Sequence, residues 1–302
     1  MKKLIIAGGT GFLGKACTDY FKDKFERVII LTRGATRQLE PLEYVHWDAK
    51  TLGSWQAHID QSDVLINLVG RSVDCRYTPK NKASILESRI TSTRVLGEAI
   101  ALAPNPPKLW LNSSTATIYR HSLDKEMCEF QGEIGTGFSV HVARRWEQEF
   151  FRFHTLHTRQ VALRTSIVLG KDAGAFKSLK TLAQFWVGGP QGSGDQKFSW
   201  IHVQDFVRSL EYIIKHQDIC GPVNIVAPQI ITNTILMKII RKAVGRSWGL
   251  PLSKTLLRIG AIAIQTEIEL VLKSRNVIPK VLMDHGFTYN FPTLKNAIKT
   301  CL

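Results

Sequence analysis

Short apolar runs alternate with longer segments of helical periodicity through the first two thirds of the chain. Lys3 to Ala7, Val28 to Leu31, Tyr44 to Trp47, Val64 to Leu68, Lys108 to Asn112 and Gln160 to Thr165 read as strands. Between them, Phe12–Lys24, Ala83–Ala103 and Phe138–His154 have the length and spacing of amphipathic helices, and Pro104-Asn105-Pro106-Pro107 stops the second of these sharply. Such alternation implies right-handed crossovers and a parallel sheet covered on both faces, a doubly wound α/β fold. Beyond Gly170 the pattern becomes irregular. Gly188 to Gly194 (GGPQGSG) is predicted to be a loop that, with Phe185 and Trp186, rims a pocket. Asp205 is predicted to cap a helix reaching Gln217, a second helix spans Thr232 to Val244, and two more lie between Ser253 and Leu272. There is no internal repeat and no low-complexity linker. The predicted organisation is a dinucleotide-binding domain over 1–170 and a smaller, mainly helical C-terminal lobe over 171–302, built onto the same sheet.

The first apolar run passes without a gap into Gly8-Gly9-Thr10-Gly11-Phe12-Leu13-Gly14. Gly8, Gly11 and Gly14 satisfy a GxxGxxG spacing, and Gly9, Gly11 and Gly14 satisfy GxGxxG. One glycine permits the tight strand-to-helix turn, one lets backbone approach a pyrophosphate, and one lets helix pack on strand. The helix start then presents unpaired N–H groups and a positive dipole end to the phosphates. Gly8, Thr10, Gly11, Phe12, Leu13 and Gly14 are therefore candidate cofactor contacts. The alternative is a glycine-rich turn without a ligand, but the strand before it and the amphipathic segment after it are the context that a dinucleotide site requires.

The end of the second strand selects the cofactor. An acid there would hold a ribose 2′-hydroxyl, whereas an arginine would hold a 2′-phosphate. The chain reads Leu31-Thr32-Arg33-Gly34, with no acid before Glu40. Arg33 can make a bidentate, charge-assisted contact and Thr32 can add a hydroxyl, which predicts NADP(H) over NAD(H).

Composition narrows the partners. The chain has 302 residues with 40 Lys and Arg against 25 Asp and Glu, a formal net charge of +15. No block of five or more basic residues occurs, so the charge is predicted to be a solvated surface serving phosphate-bearing ligands, with no specific nucleic-acid partner. Met1-Lys2-Lys3 precedes only four apolar residues before the glycines, too few for a signal-peptide core. Leu256 to Ile264, the most apolar later stretch, contains Arg258 and is too short to cross a bilayer, so no membrane association is expected. Five scattered cysteines without a CxxC pair fit a reducing compartment and predict a cytoplasmic protein without zinc or disulfides. His154-x-x-His157 lacks a third ligand, and no metal site is expected.

Several longer segments recur in order along one known family. They are GGTGFLG at 8–14, Thr32-Arg33, INLVG at 66–70, Arg76-Tyr77 where Arg-Trp is usual, and Ser88-Arg89-Ile90-x-x-Thr93. Trp146-Glu147, LRTSIVLG at 163–170, GGPQGSGDQKFSWIHVQD at 188–205 and VIPKVLMDHGFTYNFP at 277–292 follow. The chain thereby resembles the YfcH-like epimerase-family branch of the atypical, extended short-chain dehydrogenases/reductases, which carries an uncharacterised C-terminal domain. The resemblance covers nearly the whole chain and implies a Rossmann-type fold. It implies that Leu68 and Val69 pass along the adenosine ribose and pyrophosphate, and that Arg89 reaches the cofactor phosphates from the long helix. Val168 would bond the nicotinamide carboxamide through its backbone. Asp48, after Trp47, stands where extended reductases often meet the adenine amine.

The same resemblance exposes a departure. Extended reductases carry a Ser or Thr after the fifth strand and a downstream Tyr-x-x-x-Lys, the tyrosine moving the proton and the lysine lowering its pKa. Asn112 to Tyr119 places Thr115 at the hydroxyl position. Counting back from Trp146-Glu147 puts Ser139 at the tyrosine position and Ala143 at the lysine position, and neither can do that work. Tyr119 is the nearby tyrosine left to consider as a donor, although its counterparts mainly line the substrate pocket. His202 is expected to be a packed, hydrogen-bonded histidine. The reading that follows is an NADP(H)-binding oxidoreductase or epimerase acting on a small carbonyl or hydroxyl substrate through a non-standard active site, as a monomer or homodimer. Two alternatives stand beside it: a catalytically inactive NADP(H)-binding sensor or scaffold, and an RNA-binding reductase homologue.

Overall fold

Eight strands form one sheet in the order β11-β7-β6-β5-β1-β2-β4-β3 in the computed structural model, which describes residues 1–154, 157–171, 174–257, 267 and 269–302. The strands are β1 (Lys3–Ala7), β2 (Arg27–Thr32), β3 (Arg37–Leu39), β4 (Leu42–His46), β5 (Val64–Asn67), β6 (Leu109–Thr115), β7 (Arg159–Thr165) and β11 (Gly221–Ile225). All neighbours run parallel except β3, which folds back on β4. Chain order reverses at β1: the chain proceeds to β2 on one side and returns through β5 on the other. A crevice outside the carboxyl ends of β1 and β5 is the place where such sheets bind ligands.

Alternation along β1 divides the core into two layers. Leu4 and Ile6 face one cluster with Phe21 of α1 (Phe12–Phe21) and Phe206 of α5 (Val203–Lys215). Ile5 and Ala7 face the other, with Leu96 of α2 (Pro79–Leu102) and Phe150 of α3 (Phe138–Phe151). Parallel strands covered on both faces must be apolar on both, which is why these runs show no polar alternation.

After β7 the chain enters β8 (Ile167–Leu169), α4 (Gly174–Gln184), β9 (Lys197–Phe198) and β10 (Trp200–His202); β8 and β10 pair in parallel. Beyond β11 come β12 (Ile231–Thr232), which pairs antiparallel with β9, and α6 (Asn233–Ala243). Phe176, Trp200, Met237, Ile240, Leu294 and Ile298 form a separate apolar cluster in this later part of the chain. The last helix spans Leu294–Cys301. Half of the span predicted to hold two helices between Ser253 and Leu272, residues 258–266 and 268, lies outside the described residues; Glu269–Leu272 is a helical turn. No helix among the described residues is long and apolar enough to cross a membrane.

One local prediction, the Asp205 cap, needs correction. α5 is capped by His202, whose Nδ1 accepts from the Gln204 N–H at 3.2 Å. Asp205 lies in the first turn instead, accepting the N–H groups of Asn290 and Phe291 at 2.8 Å each and pairing with Arg208 at 2.9 Å. It pins the C-terminal segment rather than starting a helix.

α5 is held to α1 by Glu211, whose carboxylate takes Lys24 and Lys215 at 2.9 Å each and the Tyr20 hydroxyl. Burial pushes this carboxyl up, but the bonds from Tyr20, Lys215 and Lys24 outweigh it and bring the pKa to about 2. A depressed folded-state pKa gives stability that is complete above the unfolded value near 4.5 and is lost as pH falls toward 2. Glu211→Gln should cost about 1–2 kcal/mol near neutrality, allowing for solvent screening, and nothing near pH 2. Urea unfolding of both proteins across that range checks this; a pH-independent difference would refute it.

Candidate functional site

The glycine loop and the exit of β5 form two walls of one cradle. Gly8 has φ +81°, and a Cβ on it would sit 3.1 Å from the Leu68 carbonyl and the Val69 nitrogen. A Cβ on Gly14 would come 2.3 Å from the Gly8 oxygen, so α1 packs directly on the turn. Gly11 differs: a Cβ there would meet only the Gly8 oxygen, at 3.7 Å. Gly11 caps α1 with no side-chain bond, so the helix start keeps its N–H groups open beside that space. Thr10, Gly11 and Phe12 are exposed there and Leu13 is half-buried. The space beside Gly11 is open, and a side chain there would project into it.

This geometry separates two substitutions. Gly11→Ala should leave stability within about 1 kcal/mol, since φ −77° suits any residue, and should sharply weaken NADPH binding. Gly14→Ala should destabilise the fold by about 1–3 kcal/mol through overpacking. Thermal unfolding and cofactor titration distinguish them, and equal NADPH affinity in Gly11→Ala would remove the loop from the site.

The far end of β2 carries Thr32 and the exposed Arg33, with no carboxylate at salt-bridge distance from Arg33 among the described residues. Thr32 Oγ1 accepts the Gly34 N–H at 3.2 Å. Arg37 lies over the Tyr44 ring at 4.5 Å on the adjoining hairpin. Asp48 is engaged locally: it accepts the Lys50 and Thr51 N–H groups at 2.8 and 2.9 Å and the Thr51 hydroxyl at 2.8 Å. Those backbone bonds hold its carboxyl down at about 2.

Behind the β5 wall, Asn67 accepts the Val69 N–H at 3.1 Å and donates to Asn112 Oδ1 at 2.7 Å, fixing the course of Leu68 and Val69. Arg89 comes up from α2 against Gly70, whose Cβ would lie 3.1 Å from the guanidinium carbon. It sits 5.0 Å over the Trp146 ring and donates to the Ile85 carbonyl at 2.9 Å, and no carboxylate pairs with it among the described residues. Burial pulls its pKa to about 10, the neighbouring Tyr77 opposing. At the other end of the crevice, a Cβ on Gly170 would come 2.7 Å from the Phe12 ring, which lays the end of β8, and with it Val168, over the start of α1.

The catalytic candidates separate. Thr115 is half-buried at the end of β6, where its Oγ1 accepts the Thr117 N–H at 3.1 Å and its own hydrogen is left to donate. Tyr119 is 2% exposed; its hydroxyl donates to Asn224 Oδ1 and accepts from Arg164 Nη1, both at 2.9 Å. That hydroxyl is committed to the core, and the geometry gives no support to Tyr119 as a proton donor. Arg164 in turn makes a buried bidentate pair with Glu147, at 2.8 and 2.7 Å, and Ser114 donates to Glu147 at 2.6 Å. His202 is packed as expected, its ring 3.9 Å from Phe291 and its Nε2 3.1 Å from the Thr300 hydroxyl. Phe185 is exposed, while Trp186 packs on Trp248 and Arg246 beside the glycine loop.

Residues given no role from sequence also approach this region. Lys273 Nζ donates to the Thr117 carbonyl at 2.7 Å, and burial followed by Arg275 pulls its pKa to about 8. Arg275 Nε reaches Thr117 Oγ1 at 3.3 Å. Tyr77 extends its hydroxyl to 3.5 Å from Ser139 Oγ. Their signal was invisible because each meets its partner from more than sixty positions away in sequence.

Comparison with known proteins places these features in a wider set. Residues 4–226 match the family model described as the NAD dependent epimerase/dehydratase family, and residues 254–301 match a domain of unknown function, DUF1731. An epimerase family protein of Staphylococcus haemolyticus is 31% identical over 300 residues, covering 99% of this chain and 98% of that protein. A crystal structure of the human epimerase family protein SDR39U1 (isoform 2) with NADPH superposes with a TM-score of 0.86 at 29% identity, covering 99% of this chain and 98% of that one. A nucleoside-diphosphate sugar epimerase of Corynebacterium glutamicum gives 0.79 at 26% identity, covering 99% of this chain but 58% of that one.

Proposed function

Because this chain belongs to the NAD dependent epimerase/dehydratase family and carries the DUF1731 segment, we propose that it is an NADP(H)-dependent oxidoreductase acting at a carbonyl or hydroxyl carbon of a small substrate. The observation that carries this reading is the open face of Gly11 at the switch point, with the exposed Arg33 at the end of β2 and Arg89 against Gly70 beyond β5. The SDR39U1 structure, bound to NADPH, supports the choice of cofactor.

In this reading Gly8 to Gly14 hold the pyrophosphate, Leu68 and Val69 line its path, and Arg89 adds positive charge. Thr32 and Arg33 take the 2′-phosphate, and Val168 meets the carboxamide. When bound, NADPH supplies hydride. Thr115 donates its hydroxyl hydrogen to the substrate oxygen and orients it. Lys273 and Arg275 give the substrate side of the crevice a cationic character suited to an anionic group.

The departure at Ser139 and Ala143 favours the second reading, a sensor that binds NADP(H) without turnover. Titration with NADPH and NADH, followed by NADPH oxidation over a panel of aldehydes, ketones and quinones, separates the two. Tight NADPH binding with oxidation by one class of carbonyl, reduced in Thr115→Ala at unchanged NADPH affinity, supports the enzyme. Tight binding with no turnover across the panel supports the sensor, and equal or absent binding of both cofactors overturns both.

A further inference from the structure

The loop between β5 and α2 carries a phenol across the crevice to the first turn of α3. The Tyr77 ring packs edge-on to Phe138, with centroids 4.9 Å apart at 69°, and its hydroxyl lies 3.5 Å from Ser139 Oγ. The Tyr77 backbone N–H donates to Glu267 Oε1 at 2.6 Å, and the Arg76 guanidinium stands 3.7 Å from the same oxygen. The ring is thus held from both its backbone and its edge, while remaining half-buried rather than sealed in the core. Ser139 begins the α3 face that continues through Ala143 to Trp146, since residues three and four apart share one side of a helix. Arg89 lies over Trp146 at the far end of that face. A phenol and a cation therefore bracket Ala143, one from the loop and one from α2.

The electrostatics agree with such a pair. Burial first, then the carboxylates of Glu269 and Glu267, push the Tyr77 phenol up, with the Ser139 contact opposing. The group is protonated near neutrality and has a proton to give. Arg89 has no carboxylate partner among the described residues and is close enough to Tyr77 for the two to act on each other, so its charge is available to a phenolate; Lys82, 5.3 Å over the Phe138 ring, and Arg275 add to the positive surroundings.

We propose that Tyr77 is the proton donor of this site and that Arg89 stabilises its phenolate, so that the acid–base pair absent from α3 is rebuilt from two other segments. This rests on the NADP(H)-dependent reading above. In the reducing direction the carbonyl carbon receives the hydride supplied by NADPH, and the carbonyl oxygen receives the Tyr77 Oη proton. The products are the alcohol, NADP⁺ and the Tyr77 phenolate, which regains a proton from water. In the oxidising direction the phenolate accepts the hydroxyl proton as hydride leaves for NADP⁺.

The test needs no substrate. Protein containing 3-fluorotyrosine in place of its six tyrosines gives a fluorine NMR signal for each, and the more acidic fluorophenol brings its titration closer to neutral pH. Tyr77→Phe should remove one signal and leave the other five in place, which assigns Tyr77 and shows that the fold is intact. Adding NADP⁺, whose nicotinamide ring is positively charged, should lower the Tyr77 midpoint by about one pH unit or more, with the buried Tyr119 and the half-buried Tyr289 unmoved. Arg89→Gln should raise the Tyr77 midpoint in the cofactor-free protein. A Tyr77 midpoint unmoved by NADP⁺ whose binding is confirmed calorimetrically overturns the assignment and leaves the cofactor reading standing. Failure of NADP⁺ to bind at all overturns both.

Discussion

Glu147→Gln is expected to destabilise the folded protein by about 3–5 kcal/mol, the largest effect of any single substitution considered. The change keeps the shape of the side chain, removes its charge and turns one of its two acceptor oxygens into a donor that faces other donors. Arg164 would then stay in the interior, its side chain 9% exposed, with no counter-charge. Burial works against that guanidinium, and it is the Glu147 bonds that raise its pKa above the ordinary arginine value. A domain with a total stability of about 5–15 kcal/mol cannot absorb such a loss without a clear fall in its unfolding midpoint. The damage should spread to Tyr119 and Asn224, because Arg164 donates to the Tyr119 hydroxyl and Tyr119 donates to Asn224. Replacing both partners, Glu147→Leu with Arg164→Met, removes the uncompensated charge and should recover much of the loss. Urea unfolding of the three proteins checks this. A cost below about 1 kcal/mol for Glu147→Gln would mean that water or another group reaches Arg164, and the pair would not be the clamp described here.

The second large effect falls on the cofactor. Arg33→Ala should weaken NADPH ten- to a hundredfold and leave NADH unchanged, since a charge-assisted bond contributes about 1.5–3 kcal/mol. Arg33 is exposed and pairs with no carboxylate among the described residues, so its removal should leave the unfolding midpoint where it is. Arg37→Ala should cost less, because that guanidinium already lies over the Tyr44 ring. The NADPH preference should also shrink as salt rises, because the contact lies in a screened, solvent-facing position. Calorimetric titration of both cofactors against both variants measures the four affinities. An Arg33→Ala protein that still prefers NADPH tenfold would move the 2′-phosphate site elsewhere.

The elements nearest the amino terminus were the most legible in sequence because several local rules agree there. An apolar strand, a glycine turn and an amphipathic helix each predict the same unit, and β1, the cradle and α1 form as expected. β11 was missed for an equally local reason. Gly221-Pro222 reads as a turn, yet a proline near the start of an edge strand costs the ladder little, and the segment adds the last strand beside β7. The pairing of β8 with β10 was invisible because the two short runs lie more than thirty residues apart. Glu147 and Arg164 were both picked out within family motifs, but only their juxtaposition reveals that they form a buried pair. Tyr119 illustrates the opposite error. Proximity in sequence to Thr115 suggested chemistry, whereas its side chain turns inward, and it is Tyr77, far away in sequence, whose hydroxyl reaches Ser139 at the start of α3.

The run from Ser274 to Ile278 has a consequence for how this family can diversify. Met127 donates to the Asn276 carbonyl at 2.7 Å and accepts from Ile278 at 3.0 Å, while Ser199 donates to the Arg275 carbonyl at 2.7 Å and accepts from Val277 at 3.0 Å. Lys197 donates to the Ser274 hydroxyl at 2.8 Å, and Asn224 donates to the Ile278 carbonyl at 2.9 Å. This strap is threaded between Met127, Lys197, Ser199 and Asn224, all within the stretch that matches the epimerase/dehydratase model, and their polar groups meet it one for one. A recombination event that exchanged the final fifty residues with those of a distant cousin would strand those donors and acceptors in the interior. The last fifty residues and the rest of the chain should therefore be inherited together, and substitutions at the seam should be tolerated in matched sets rather than singly.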